Sequence, residues 1–189
     1  DERLVNAELE HDFETLIHVL ALTYSARQTA QLKRRWPLQK AVLAAPKGQL
    51  KALKNLEELF VELANVKAVE YVEELESLHT ASEAPDRWKK ASDGDLHVLL
   101  DTFRDSDLYG EGVMRDLARR VQALRTELGF KPTDILDAVH LAALDDETAG
   151  LLEPYLKEMA ELVRTNRVSL HKDRSKVEVD WHEFVFDSK

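Results

Sequence analysis

The sequence contains no cysteine, which excludes disulfide bonds, a zinc site built on thiolates and a cysteine nucleophile. Its six glycines are scattered and form no glycine-rich loop of the kind that binds phosphate. No apolar run approaches the roughly 20 residues that a membrane helix needs, so we expect no membrane partner. The start of the chain lacks a basic region followed by an apolar stretch, so we expect no signal peptide and a cytoplasmic protein.

The composition is that of a globular protein, because 44% of the 189 residues are hydrophobic and 33% are charged. A chain of this length can bury a core as one domain or as two small lobes. The seven histidines lie in different segments, mostly alone, and no two of them show the spacing of a metal-binding helix. We therefore predict no catalytic residue, metal site or cofactor within this chain.

Acidic residues are missing from one long window of the sequence. Between Thr15 and Leu56 there is no Asp or Glu, although the whole chain has 36 acids and 26 bases. The cations of this window make it locally +8 and leave about −18 for the rest: Arg27, Lys33, Arg34, Arg35, Lys40, Lys47, Lys51 and Lys54. Such a stripe can attract a polyanion to one place, but it is also typical of a solvated helix face.

The spacing of apolar residues predicts an α+β architecture, with helices packed on small mixed sheets. A long helix is expected within 1–38, ending near Arg35 because Pro37 follows. Residues 39–75 predict a small β-α-β lobe, and the polar segment 76–95 is interpreted as a linker or a trimmed lobe. A second α+β lobe is expected over 96–189, where the alternation of strand and helix repeats.

The second lobe is expected to contain further elements of both kinds. They are a strand over 97–102, a helix capped by Asp105, Ser106 or Asp107 that runs to about 128 and is ended by Gly129, a strand over 135–144, a helix from Asp145 or Asp146, and a terminal strand or hairpin formed by 168–171 together with 177–186.

The end of the first helix suggests RNA binding. Lys33, Arg34 and Arg35 offer phosphate contacts next to Trp36, whose ring could stack on a base. Core packing at the helix exit is the other interpretation of this tryptophan.

The long helix of the second lobe carries a weaker version of the same signal. Arg115, Arg119 and Gln122 recur at helical spacing, so they lie on one face and could follow a phosphate backbone. Ordinary solvation with Asp116 and Glu127 as ion-pair neighbours explains them equally.

Three stretches resemble the C-terminal region of isoleucyl-tRNA synthetases of the archaeal and eukaryotic type. Residues 24–38 read YSARQTAQLKRRWPL, similar to the family segment ARxxAxxKxRxPL. Residues 63–72 read LANVKAVEYV, similar to the strand LNVKEVEF, and residues 112–125 read GVMRDLARRVQALR, similar to the helix EGxARELxRRIQxLRK. The sequence differs from the family in having Gln28 and Thr29 where Asn is usual, and in a shorter segment after Val72.

The resemblance implies a tRNA-binding accessory region at the end of the anticodon-binding bundle. Catalysis and ATP binding would belong to a parent ligase, because this chain lacks HIGH-like and KMSKS-like signatures. The expected partners are tRNA and the remaining domains of the synthetase, with no membrane and no DNA. The predicted tRNA-binding residues are Arg27, Lys33, Arg34, Arg35, Trp36, Lys40, Arg115, Arg119, Gln122 and Arg125.

Two other interpretations stay open at this point. The chain could be a structural docking module, whose basic stripe packs against an acidic neighbouring domain. It could also be a free-standing paralogue of the synthetase tail that acts in trans.

Overall fold

Helix α1 (Ala7–Thr29) opens the first of two units into which the chain divides, residues 1–104 and 105–189. The computed structural model describes residues 6–74 and 86–184. Asn6 caps the start of α1, where its side-chain oxygen accepts a hydrogen bond from the Leu9 N–H at 3.1 Å. Glu8 and Glu10 follow in the first turn, where carboxylates stabilise the positive end of the helix dipole.

The rest of the first unit is one mixed sheet with two shorter helices. The elements are β1 (Leu38–Ala44), α2 (Lys47–Asn55), α3 (Glu57–Ala64), β2 (Val66–Val72), β3 (Trp88–Asp93) and β4 (Leu96–Asp101). The strand order is β2-β1-β4-β3. Strands β1 and β2 are parallel and joined through α2 and α3 as a β-α-β unit, whereas β4 pairs antiparallel with both β1 and β3.

Helix α1 has apolar residues on more than one side. Leu16, Val19 and Leu20 are buried in the core between the helix and the sheet. Ile17 and Phe13 point away from this core and are 65% and 39% exposed. The sheet of the unit therefore covers only part of the apolar surface of α1.

The second unit contains α4 (Ser106–Glu127), β5 (Val139–Ala142), α5 (Asp146–Leu152), α6 (Leu156–Val163) and β6 (Val168–His171). Strands β5 and β6 pair in parallel. Asp105 and Asp145 cap α4 and α5, as expected, by accepting hydrogen bonds from the N–H groups of Leu108 and Thr148. Pro154 lies in a single 3₁₀ turn between α5 and α6, consistent with its inability to continue a helix.

The α+β architecture predicted from the sequence is confirmed, but several boundaries differ. Helix α1 ends at Thr29 and not near Arg35, because Gln31 adopts a left-handed conformation with φ of 56° and reverses the chain. The segment 76–95, interpreted as a linker, contains β3, which pairs with β4 across a turn at Gly94. Strand β4 belongs to the first unit because it hydrogen-bonds to β1.

The strands predicted for the end of the chain are present only in part. Strand β5 is shorter than the expected strand over 135–144. Strand β6 confirms the first part of the predicted terminal strand or hairpin, at 168–171. Residues 177–184 form no strand, and the last positions of the prediction lie outside the described residues. Across the described ranges 6–74 and 86–184, each helix is too short or too polar to span a membrane.

Candidate nucleic-acid interface

Arg27 is the centre of the site that the first helix was predicted to form. Its side chain is 1% exposed and lies at the last turn of α1. The guanidinium donates hydrogen bonds to the carbonyls of Trp36 at 2.9 Å, Ala64 at 2.8 Å and Asn65 at 2.9 Å, with a longer one to Lys33 at 3.3 Å. Arg27 therefore ties the loop after α1 to the end of α3.

Burial lowers the pKa of Arg27 to about 10, with a smaller opposing effect from Tyr24. The side chain is still charged at neutral pH, so the four carbonyl dipoles surround a cation. This geometry leaves its N–H groups directed at the backbone. Arg27 was predicted as a tRNA contact, and its place in the structure suits a positioning role for the loop.

The loop that Arg27 holds carries the cluster Lys33, Arg34 and Arg35, which we call the basic loop. Arg34 is exposed, and its guanidinium carbon lies 3.8 Å from the centre of the Tyr24 ring, a cation–π contact. Lys33 and Arg35 are half-buried. Tyr24 is fixed in turn because its hydroxyl donates to the Leu63 carbonyl at 3.0 Å. The basic loop is therefore an ordered feature attached at several points.

Trp36 follows the basic loop and is 2% exposed. The guanidinium of Arg104 lies 4.6 Å from its ring centre, and the Lys33 ammonium lies 5.9 Å from it. A ring so enclosed offers no open face for a base, so the packing interpretation of Trp36 agrees with its position better than stacking on RNA.

Three of the four remaining cations of the basic window lie close to acidic side chains from other parts of the chain, and the fourth, Lys54, lies 5.3 Å from the centre of the Tyr71 ring. Lys40 on β1 pairs with Glu70 on the neighbouring strand β2. Lys47 lies 3.6 Å from Glu73, and Lys51 lies 3.1 Å from Glu8. These carboxylates offset part of the positive charge on β1 and α2.

The predicted residues on α4 separate into different environments. Arg115 is half-buried and pairs with Glu111 at 2.6 Å, one helical turn away. Gln122 donates to the Leu162 carbonyl at 2.7 Å, and Arg119 is exposed. Arg125 is 7% exposed and donates to four carbonyls: Val163 at 2.6 Å, Arg164 at 3.1 Å, Lys131 at 3.4 Å and Asp134 at 2.8 Å. The α4 residues thus do not form one continuous basic face.

Sequence reasoning missed three residues that shape the interface of the first unit. Tyr24 makes a cation–π contact with Arg34, and Arg104 makes one with Trp36. The Asn65 carbonyl accepts a hydrogen bond from Arg27, and the Asn65 side-chain amide donates one to the Arg34 carbonyl at 3.0 Å. Asn65 could have been recognised, because Asn after an amphipathic helix is typical of a left-handed cap and its φ is 53°. Nothing in the sequence pointed to Arg104.

Metal binding has no support in the described parts of the chain. Within residues 6–74 and 86–184, no three His, Asp or Glu side chains are grouped so that they could hold a metal ion. What the arrangement can do chemically is to present fixed cations to a phosphate backbone.

Comparison with known proteins finds similarity to isoleucine–tRNA ligases. The chain is 29% identical to isoleucine–tRNA ligase of Dehalococcoides mccartyi over 75% of its own length, and 27% identical to that of Pyrobaculum aerophilum over 83%. A shorter match to the enzyme of Methanothermobacter thermautotrophicus is 33% identical over 46% of the chain. No protein-family model matches the sequence.

The matched region is a small part of each of these ligases. The chain spans 14% of the length of the Dehalococcoides and Pyrobaculum enzymes. Most of this chain is therefore similar to one short region of isoleucine–tRNA ligases, in agreement with the resemblance drawn from residues 24–38, 63–72 and 112–125.

Proposed function

We propose that this chain is a tRNA-binding accessory region of an isoleucine–tRNA ligase, the C-terminal part of an enzyme of the archaeal and eukaryotic type. Its role is to position tRNA for aminoacylation by a catalytic domain outside this chain, which would also bind ATP and isoleucine. The proposal places the protein in the cytoplasm, with tRNA and the other synthetase domains as partners. Similarity to these ligases over most of the chain supports it.

The observation that carries the proposal is the basic loop fixed by Arg27. Lys33, Arg34 and Arg35 follow α1 on a segment whose carbonyls are tied down by a buried guanidinium. A fixed loop loses little conformational freedom when it binds, so its cations can hold tRNA phosphates in a defined place. Phosphate contacts of this kind orient the tRNA and do not read its sequence.

The chain carries a net charge of −10, which opposes indiscriminate binding to nucleic acid. Attraction is then local, because three of the eight cations of the window follow one another on the basic loop. We expect tRNA to bind weakly and in a salt-dependent manner, as an addition to contacts made elsewhere in the ligase.

The test is a charge reversal of the basic loop, in which Lys33, Arg34 and Arg35 are all replaced by Glu. We expect tRNA affinity, measured by fluorescence anisotropy at several salt concentrations, to fall at least about tenfold at low salt. The slope of log affinity against log salt should flatten by about 2 to 3, since about one counterion is released per phosphate contact.

The matched control reverses three other cations of the same window, Lys47, Lys51 and Lys54. These residues lie on α2, after the opposite end of β1, and all three are exposed. The control changes the net charge by the same amount, so it separates a local site from overall repulsion. Unchanged affinity and slope in the basic-loop variant, or equal losses in both variants, would contradict the proposed site.

A structural docking module is the second candidate, and one observation favours it. Leu9, Phe13 and Ile17 are spaced by one turn on α1 and are 44%, 39% and 65% exposed. An apolar stripe of this kind on a helix whose other side is buried is typical of a surface that packs on another helix. Cross-linking in the full ligase separates the candidates, because docking predicts adducts between α1 and protein, whereas tRNA handling predicts adducts between the basic loop and RNA.

A further inference from the structure

The chain contains one structural arrangement twice, once in each unit. A long helix ends in a left-handed residue, a loop leads into a strand, and a second helix with its own left-handed cap leads into a parallel strand. The first copy runs through α1, β1, α3 and β2, and the second through α4, β5, α6 and β6. The left-handed residues are Gln31 and Asn65 in the first copy, and Gly129 and Arg164 in the second.

Several hydrogen bonds of the two copies correspond. Arg27 and Arg125 each donate to two loop carbonyls and to the last two carbonyls of the second helix. The Tyr24 hydroxyl donates to the Leu63 carbonyl, and the Gln122 amide donates to the Leu162 carbonyl. The Leu32 N–H donates to the Arg27 carbonyl as the Phe130 N–H does to the Arg125 carbonyl. The Leu38 N–H donates to the Asn65 carbonyl as the Leu136 N–H does to the Arg164 carbonyl. So many shared bonds at matching positions define an internal repeat.

Each copy forms a groove at the same place, between the end of the long helix and the loop that follows. In the first groove, Tyr24, Arg27 and Leu32 lie next to the basic loop residues Lys33 and Arg34. The corresponding positions in the second groove are Gln122, Arg125, Phe130, Lys131 and Pro132, joined by Arg164. The scaffold is therefore the same, and the side chains that face solvent differ.

The second groove presents an aromatic ring where the first has an aliphatic side chain. Phe130 is 40% exposed, and its ring centre lies 6.0 Å from the buried guanidinium of Arg125. Its backbone is held because its N–H donates to the Arg125 carbonyl at 2.9 Å, and the next N–H, of Lys131, donates to the Asp134 carboxylate at 2.8 Å. Phe130 is thus an exposed ring on a held backbone, in a groove that the exposed cations Lys131 and Arg164 also line.

We propose that the second groove binds an unpaired nucleotide of RNA, with the base stacked on Phe130 and the flanking phosphates held by Lys131 and Arg164. An exposed aromatic ring beside cations is the arrangement by which proteins hold single-stranded nucleic acid, because every base has a face that can stack. The inference rests on the proposed function and deepens it, since it gives the second unit its own contact with tRNA, at a position where the tRNA is not base-paired.

The charges of the groove favour RNA over an apolar protein segment. Lys131, Arg164 and the floor residue Arg125 are positive, and Glu161 is the acidic residue among the lining side chains of this groove. A protein partner would use the ring as apolar area alone, for which Leu would serve nearly as well. RNA needs the flat face of an aromatic ring.

The experiment uses the full chain and a fluorescent single-stranded RNA of about 12 nucleotides, with a duplex of the same sequence as the comparison probe. Phe130→Ala and Phe130→Leu are both expected to weaken binding of the single strand about tenfold and to leave duplex binding unchanged. Leu128→Ala is the matched control, because Leu128 is 52% exposed at the same helix end and is not aromatic.

The cations are tested separately. Lys131→Gln and Arg164→Asn should each reduce the salt slope by about 1, and Asn is chosen because it tolerates the left-handed backbone at position 164, where φ is 54°.

Four outcomes decide the proposal. Loss of single-strand binding in both Phe130 variants, with Leu128→Ala unchanged, supports it. Binding by Phe130→Leu that equals the unsubstituted chain would show that stacking is not used and would overturn it. The proposal would also be overturned if the chain binds tRNA through the basic loop and does not bind the single strand. If the basic-loop variant binds tRNA normally while Phe130→Ala does not bind the single strand, the proposed site at the basic loop is contradicted and the proposed site in the second groove is supported.

Discussion

Replacing Arg27 by Met tests whether one buried guanidinium holds the first unit together. Methionine has a side chain of similar length and can fill most of the space, so the variant removes hydrogen bonds without opening a large cavity. The carbonyls of Trp36, Ala64 and Asn65 would lose donors at 2.8 to 2.9 Å, and the Lys33 carbonyl would lose a weaker one at 3.3 Å. Backbone oxygens that are buried without a donor are costly.

The expected loss follows from these bonds. A hydrogen bond from a charged donor contributes about 1.5 kcal/mol net, so the three short ones together contribute about 4 to 5 kcal/mol. Removing a buried charge recovers part of this, because burial disfavours the charged form, as the lowered pKa of Arg27 reflects. We therefore expect Arg27→Met to reduce the free energy of unfolding of the first unit by about 3 kcal/mol.

The assay is urea unfolding monitored by the fluorescence of Trp36, whose own carbonyl is one of the partners of Arg27. The chain has three tryptophans, so Trp88 and Trp181 are replaced by Phe in the reference protein. Arg34→Met is the control, since Arg34 is exposed and its contact with Tyr24 contributes only about 0.5 to 1 kcal/mol.

A loss below about 1 kcal/mol, or one equal to that of Arg34→Met, would refute the assignment of Arg27 as the residue that fixes the loop. Arg27→Lys adds a second check. A single ammonium group cannot donate hydrogen bonds to both the loop and the end of α3. The free energy of unfolding of Arg27→Lys should therefore lie between those of Arg27→Met and the reference protein.

Two further predictions concern the second unit. Gly110→Ala should destabilise it by about 1 to 3 kcal/mol in thermal unfolding, because the added Cβ would lie 2.8 Å from the Leu151 carbonyl oxygen, and an unchanged melting temperature would show that α5 shifts freely. Burial lowers the pKa of His140 below its ordinary value of 6.5, and His171 lowers it further. The unfolded chain therefore binds a proton at this position more readily than the folded chain, so the free energy of unfolding should decline as the pH falls below about 6.5. Urea midpoints between about pH 7 and pH 5 should show a flatter pH dependence for His140→Gln, and an identical pH dependence in the two proteins would argue against this.

Much of the fold could be predicted because local signals agreed with the tertiary contacts. Gly129 was recognised as a helix end from residue type alone, and it has the expected left-handed conformation. Asp105 and Asp145 were among the candidate caps, and each accepts the expected capping hydrogen bond. The end of α1 was misplaced because Gln31 is an unusual residue for a left-handed turn, and only the bonds of Arg27 make that turn favourable. Strand β3 was missed because Trp88–Asp93 is a polar edge strand whose pairing depends on β4.

The candidate site was predictable only in outline. A run of cations in sequence does not show which carboxylates will lie beside them, and Lys40 and Lys51 are matched by Glu70 and Glu8 from distant parts of the chain. Nor does residue type show that an arginine near a helix end will point inward. Arg27 and Arg125 were both predicted to contact tRNA because they are cations, and burial among carbonyls is a property of the tertiary structure alone.

The internal repeat separates what the scaffold requires from what the surface can vary. The two arginines are identical and make equivalent bonds, which is expected if each copy needs a buried donor to join its loop to its second helix. The loop residues that line the grooves differ, because Leu32 and Arg34 in the first copy correspond to Phe130 and Pro132 in the second. Different groove side chains on a shared framework are the pattern expected when two copies contact different parts of one ligand. Substitutions in the two grooves should therefore weaken tRNA binding independently. If a variant that combines the basic-loop charge reversal with Phe130→Ala loses more tRNA affinity than either variant alone, both grooves contact the same tRNA molecule.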